Sequence, residues 1–196
     1  EDKIFFADQQ FFNFFSFSLL AGDPNTVLSQ PNALVLSKSS AKKYFGTEDP
    51  MGKIITIDRS EQFIVTGIMD DPPANSHLDF DFMGSLALFE NSGFMQRWWS
   101  NGMSTYLAID SPEKAASVEE KFPWFIDKYF SKYFKKSGKR VDISLEPLRD
   151  IYFNSDVRYD WVLHGNKQAV MLLGLVAVAI LFIACFNYLN LSIALS

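Results

Sequence analysis

From Ala169 to Phe186 the chain runs for 18 residues without a charged or strongly polar side chain. The apolar character persists past Asn187, Tyr188 and Asn190 to Ser196, and no Lys, Arg, Asp or Glu follows Lys167. A bilayer core of about 30 Å calls for a helix of about 20 apolar residues. At about 1.5 Å per residue, a helix from Ala169 to Ser196 reaches about 42 Å, enough to cross with some tilt. A helix of this length in a soluble core would carry a polar stripe. The segment therefore reads as a membrane span, and its C-terminal place excludes a signal peptide. The expected division is an extracytoplasmic domain over residues 1–167 and a transmembrane helix over 168–196. A start at Glu1 and a stop in or at the end of the apolar run read as a piece of a larger membrane protein.

The more polar remainder, about 168 residues, suffices for one ordinary domain. Hydrophobic residues make up 48% of the chain and exclude intrinsic disorder. A net charge of −5 argues against nucleic acid as a partner. One Cys excludes a disulfide framework, and His77 and His164, far apart, leave little for zinc. The 20 Phe must fill a core, a partner interface or a membrane boundary.

Strand and helix signals alternate through this remainder. Asp2–Phe6 reads as a short strand. The aromatics from Phe11 to Phe17 read as a helical turn running into an extended piece. Ala33–Leu36 reads as a buried strand, followed by a helix over Lys38–Phe45 with Ser37 as its cap and Gly46 as its left-handed terminator. Ile54–Ile57 and Gln62–Met69 form a hairpin around Asp58–Glu61. The two prolines in Asp70–Ser76 exclude regular structure there. Leu78–Leu88 alternates like a half-buried strand, Thr105–Ile109 reads as a strand, and Val141–Leu145 as another. Ser111-Pro112-Glu113 opens a helix reaching about Phe134 that Pro123 kinks or divides. The expected class is mixed α+β.

The chemical motifs are weak. Gly46-Thr-Glu-Asp-Pro-Met-Gly-Lys53 resembles a phosphate-binding loop, but has five residues between its glycines and Ile54 after the lysine. It also follows a helix and enters a strand, the reverse of what such a loop needs. Asp70–Asp71 and the pair Asp79 and Asp81 match no calcium-loop spacing. His77 lies near Asp79, without a nucleophile on a recognisable elbow. Lys135, Lys136, Lys139 and Arg140 suit a solvated loop after a helix, or a contact with phosphates or headgroups. Trp98 and Trp99 suit core burial or a contact hot spot. Asn187 and Asn190 suit either hydrogen bonds between membrane helices or an interfacial position. No catalytic, cofactor-binding or metal-binding residue is assigned.

Five blocks, in order along the chain, carry a resemblance. They are Ala33–Gly46 with its "LS", "A-K" and "FG"; Glu48–Lys53; Phe63–Met69 with Asp71-Pro-Pro-Ala-Asn-Ser-His77; Ile151-Tyr-Phe153 with Gly165-Asn-Lys167; and Ile183-Ala-Cys-Phe-Asn-Tyr-Leu-Asn-Leu-Ser192. Together they resemble the periplasmic core domain of MacB-like (FtsX-related) ABC transporter permeases. Ala194-Leu195-Ser196 departs from the family's frequent "A-R-S". The resemblance implies a two-lobe α+β domain, a porter-like βαβ lobe with an inserted second lobe, followed by a transmembrane helix. The region from Asp79 to Gly102, or as far as Lys139, contributes to that insertion. It further implies a non-catalytic permease in the bacterial inner membrane, most of this chain lying in the periplasm. The expected partners are a cytoplasmic ABC-type ATPase, a second permease copy or paralogue, and an adaptor or outer-membrane channel. The expected work is export or extraction of a substrate by mechanical transmission, with Trp161–Asn166 as the joint into the span.

Other classes remain at this level. A sensor domain of a membrane receptor fits the same topology. A membrane-anchored hydrolase would need a nucleophile–base pair. A soluble protein would bury its C-terminal helix, and deleting residues 169–196 would then destabilise the rest.

Overall fold

The computed structural model describes residues 2–58, 60–73, 76–93, 95, 102–134, 140–153 and 165–194. Its centre is a mixed six-stranded sheet built from residues 4–85. The strands are β1 (Ile4–Ala7), β2 (Leu19–Ala21), β3 (Ala33–Ser37), β4 (Ile54–Ile57), β5 (Glu61–Met69) and β6 (Phe82–Ser85). Their order is β1-β6-β3-β5-β2, and β4 pairs with β5 as well. β1 runs parallel to β6, and β3 runs parallel to β5. The remaining pairs, β3 with β6, β2 with β5 and β4 with β5, are antiparallel.

Alternation along the strands sorts the core into two layers. Leu34 and Leu36 of β3 and Phe82 of β6 join Phe63 and Val65 on one face. This face is covered by helix α2 (Lys38–Phe45) through Ala41 and Phe45. Val35 and Met83 point to the other face, where Phe11 and Phe12 of α1 (Phe11–Phe15), Val27, Leu28, Leu78 and Phe80 close over them. β3 is thus covered on both sides, which is why it is apolar without alternation.

A bulge in β5 lets one strand feed both layers. Leu34 pairs with Val65, but Val35 pairs with Gly67, so Thr66 is the extra residue. A regular strand would place Phe63, Val65 and Met69 on one face. Beyond the bulge the parity reverses, and Met69 packs with the α1 layer instead. The Thr66 hydroxyl donates to the Val27 carbonyl at 2.7 Å and lies 3.3 Å from that of Leu34. That bond satisfies a polar group that would otherwise be stranded in the core. On the opposite side of the sheet centre, Gly84 makes room for a ring. A Cβ at position 84 would stand 2.5 Å from the Phe6 ring, which also meets Phe89 edge-on.

Several expected elements are present: strands at β1, β3, β4 and β5, the aromatic α1 turn, and α2 with its Ser37 cap. The Ser37 hydroxyl accepts the Ser40 N–H at 3.2 Å. Gly46 has the positive φ expected of it, 63°, but its ψ of −110° lies outside the left-handed helical region. The segment Leu78–Leu88 is not one half-buried strand. Only Phe82–Ser85 pairs, and all four residues are buried because β6 lies between β1 and β3. A 3-10 turn over Leu86–Phe89 follows.

Thr105–Ile109 and Val141–Leu145 form no strands. Alternation makes a strand only where another strand offers a pairing edge. Here the chain finds other partners: Tyr106 packs on Phe15, and the Leu145 N–H donates to Glu119 at 2.8 Å. The long helix from Ser111 is divided into α3 (Pro112–Glu119), α4 (Phe122–Tyr129) and α5 (Ser131–Phe134). Pro123 sits in the first turn of α4, where its missing N–H costs nothing.

The chain forms two compact units, Glu1–Leu145 and Glu146–Ser196. The second holds the one-turn helix α6 (Leu148–Ile151) and the helix α7 (Lys167–Ala194). α7 has 28 residues, and none of them is buried.

Candidate functional site

The motifs that tempt a catalytic reading have structural occupations. Lys53, the lysine of the loop-like motif, pairs with Glu48 and leads into β4. That pairing holds the Glu48 carboxyl below its ordinary value. Asp71 reaches the start of α2, where its carboxylate accepts the Ser39 N–H at 2.9 Å and the Ser39 hydroxyl at 2.7 Å. The backbone donor is the main reason its carboxyl is held below the usual range. Asp79 and Asp81 both serve Lys3: Asp79 pairs with its ammonium group, and Asp81 accepts its backbone N–H at 2.9 Å. His77 Nε2 lies 3.2 Å from the Tyr106 hydroxyl. Among the described residues no cluster of three His, Cys, Asp or Glu side chains forms. Arg140 pairs with Asp142 at 3.0 Å on the surface. Trp98, Trp99, Lys135, Lys136, Lys139 and Trp161–His164 lie outside the described residues.

What the structure builds instead is attachment. β1 is an edge strand held at its entry by two sets of charges. Asp2 accepts from Lys43 at 2.6 Å and from the Tyr44 hydroxyl, both at the C-terminal end of α2. The Lys43 bond, then the Tyr44 bond, hold the Asp2 carboxyl low, while donating to Asp2 raises the Tyr44 hydroxyl above its ordinary value. Lys3 ties the neighbouring position to Asp79 and Asp81. Each exposed pair contributes little alone. Together they fix the strand's direction where it enters the sheet.

The second unit has a comparable fastening at the start of α7. Asn166 caps the helix: its side-chain oxygen accepts the Ala169 N–H at 3.0 Å, and its carbonyl accepts the Val170 N–H at 3.1 Å. The Gly165 N–H donates to the Tyr152 carbonyl at 2.7 Å. The Tyr152 ring lies so close over Gly165 that any Cβ there would overlap it. Gly165 and Asn166 are conspicuous in the sequence only as part of a motif. Their signal as a joint is the ordinary one of a cap residue just before an apolar helix.

α7 itself is long and apolar enough to cross a membrane, with a mean hydropathy of 3.0 over its best 18 residues. About 20 residues of span counted from Ala169 end near Tyr188, which sets Asn187 and Asn190 at the far boundary of the apolar core.

Known proteins share features with this chain. Residues 2–123 match the model of the MacB-like periplasmic core domain. A domain of a putative permease protein from Porphyromonas gingivalis is similar in structure, with a TM-score of 0.51 and 18% identity. The match covers 65% of this chain and 59% of that one. The periplasmic region of MacB from Actinobacillus actinomycetemcomitans gives a TM-score of 0.43 at 18% identity, over 69% of this chain and 64% of that one. The extracellular domain of the noncanonic ABC-type transporter YknZ from Gram-positive bacteria gives 0.43 at 18%, over 62% of each chain. This chain therefore spans about three fifths of the length of the structures it resembles. No curated protein matches it significantly. With more than half its residues in the family match, the chain belongs to the MacB-like periplasmic core domain family. The matched residues take in the whole sheet, and a long apolar helix stands at the C-terminal end of the chain.

Proposed function

We propose that this domain is the non-catalytic, extracytoplasmic part of a permease subunit that turns cytoplasmic ATP hydrolysis into export or extraction of a substrate. The family match over residues 2–123 carries the reading. It also removes the reason to prefer a receptor sensor. Residues 1–167 stand in the periplasm, and residues 168–196 cross the inner membrane. α7, exposed along its whole length, supports that crossing and not a soluble protein with a buried C-terminal helix. The region from Asp79 to Gly102, or as far as Lys139, contributes to the inserted lobe, a reading supported by the end of the described sheet strands at Ser85.

The partners are a cytoplasmic ABC-type ATPase, a second permease copy or paralogue, and an adaptor or outer-membrane channel. Motion passes along α7 into the domain through the Trp161–Asn166 joint. The capped start of α7 and the Gly165–Tyr152 bond support it, since a stiff junction transmits displacement and a loose one absorbs it.

The test uses the full-length permease. Gentle detergent extraction should bring down a stoichiometric ABC-type ATPase, separate or fused, and its absence would defeat the permease reading. Spin labels at Ser117 of two copies should then change separation when nucleotide is trapped. A Gly-Ser spacer within Trp161–Asn166 should abolish that change while the ATPase still co-purifies. An unchanged response in the spacer variant would defeat mechanical transmission.

A further inference from the structure

We infer that the segment Leu148–Phe153 is an interfacial anchor, lying in the headgroup zone of the bilayer that α7 crosses and making direct contact with lipid. The inference rests on the reading of α7 as a membrane span.

Three observations lead to it. First, the segment carries large apolar groups that the protein does not cover. Leu148, Tyr152 and Phe153 expose 52%, 42% and 39% of their surface. Leu148, Ile151 and Tyr152 are spaced i, i+3, i+4, so α6 presents them along one side, with Arg149 and Asp150 between them in sequence. Arg149 pairs with Asp150 at 3.7 Å and remains well exposed. This mixture of aromatic, aliphatic and cationic groups is what an element lying at a membrane surface presents.

Second, the segment is fastened at a defined height. The Tyr152 carbonyl accepts the Gly165 N–H at 2.7 Å, and the Tyr152 ring covers Gly165. Both residues belong to the same compact unit as α7. Gly165 precedes the first residue of the apolar run, Ala169, by four positions. At about 1.5 Å per residue in helix and about 3.3 Å in extended chain, Gly165 stands no more than about 10 Å beyond the hydrocarbon boundary. The headgroup region extends about 5–8 Å on each side, and interfacial helices sit within about 5–10 Å of that boundary. Tyr152 is therefore held at the level where tyrosine rings accumulate in membrane proteins.

Third, the segment is joined to an element whose apolar surface lipid must cover. α7 exposes its whole circumference, and Gly165, two residues before its start, is bound to Tyr152, whose ring meets that of Phe153 edge to face at 5.0 Å. An aromatic pair gives such an anchor rigidity, because two rings brace each other at little entropic cost. The anchor would fix the tilt and rotation of α7 where it leaves the bilayer, which tilt alone leaves free.

The test is spin-label depth measurement in the full-length permease reconstituted in bilayers of mixed phosphatidylcholine and phosphatidylglycerol. With Cys185→Ala as background, single cysteines replace Phe153, Ile180 and Ser117, and each nitroxide is exposed to oxygen and to a water-soluble nickel chelate. The oxygen-to-nickel accessibility ratio should be lowest at Ser117 and highest at Ile180. At Phe153 it should lie severalfold above Ser117 and below Ile180. A Phe153 label with the ratio of Ser117 overturns the anchor while leaving the span intact. A Phe153 label shielded from both reagents also overturns it, showing that protein and not lipid covers the segment. An Ile180 label with the ratio of Ser117 overturns the span and the anchor with it.

Discussion

β3 and α7 are nearly interchangeable in composition and opposite in circumstance. Ala33-Leu-Val-Leu36 and the heart of α7 are both runs of Ala, Val and Leu without charge. In β3, Leu34 is fully buried between two protein layers, whereas Leu175 of α7 exposes 69% of its surface. The difference shows that apolarity specifies a solvent, not a structure. The backbone decides which solvent is available. A five-residue strand satisfies its amides only beside other strands, so it must be buried in protein. A 28-residue helix satisfies its own and can enter lipid alone.

A charge placed in each run breaks the comparison most severely. Leu34→Lys puts an unpaired ammonium between Phe63, Phe82 and the underside of α2, a burial costing several kcal/mol at least. The sheet domain should fail to fold, seen as loss of its cooperative urea transition by tryptophan fluorescence. Leu175→Lys should leave that transition in place. It should instead reduce membrane insertion, at an apparent cost of about 2.5–3.5 kcal/mol at the helix centre. Equal damage to the sheet from both substitutions would mean that α7 is part of the soluble core.

A smaller change tests packing within the sheet. Gly84→Ala adds a methyl group 2.5 Å from the Phe6 ring, where β1 and β6 pair. Overpacking of this kind costs about 1–3 kcal/mol. The loss should appear as a lower urea midpoint with an unchanged slope, and Phe6→Leu in the same chain should recover part of it. On α7, Gly174→Ala should leave the sheet transition unmoved, because nothing within 4 Å meets a Cβ there. A Gly84 variant as stable as the parent would mean that the Phe6 ring moves freely away from β6.

These contrasts explain how much was legible in advance. The long apolar helix is plain because a length criterion needs no tertiary information. β3 and the β4–β5 hairpin were plain because apolar runs and turn residues are local signals. The strand expected over Leu78–Leu88 pairs only at Phe82–Ser85, because alternation in Leu78–Phe82 reports burial, while strand pairing depends on β1 and β3, far away in sequence. Thr105–Ile109 and Val141–Leu145 have strand composition but pair with no strand. The bulge at Thr66 leaves no sequence mark beyond Thr-Gly itself. At the candidate joint, Gly165-Asn166 was visible as part of a motif. The Tyr152 partner is not, since it lies thirteen positions away in sequence.

The two helix starts sharpen the comparison at its finest scale. α2 begins against the buried end of β3, and its first turn is satisfied by Ser37 and by Asp71. α7 begins outside the sheet unit and is satisfied by Asn166. Asp71→Asn should therefore lower the stability of the sheet domain by about 1 kcal/mol at pH 7. Asn166→Ala should leave it unchanged. The charge on Asp71 gives the first effect a pH signature. Its folded carboxyl is held below the ordinary aspartate value, so its contribution is complete above that value and is lost as the pH falls through the lower, folded one. The gap between parent and Asp71→Asn, read from urea midpoints, should hold steady from pH 7 to about 5 and close as acid protonates Asp71. Other carboxylates titrate in both proteins and cancel in the difference. A gap that does not narrow at all between pH 5 and pH 3 would show that the shape of the Asp71 side chain, and not its charge, holds the start of α2.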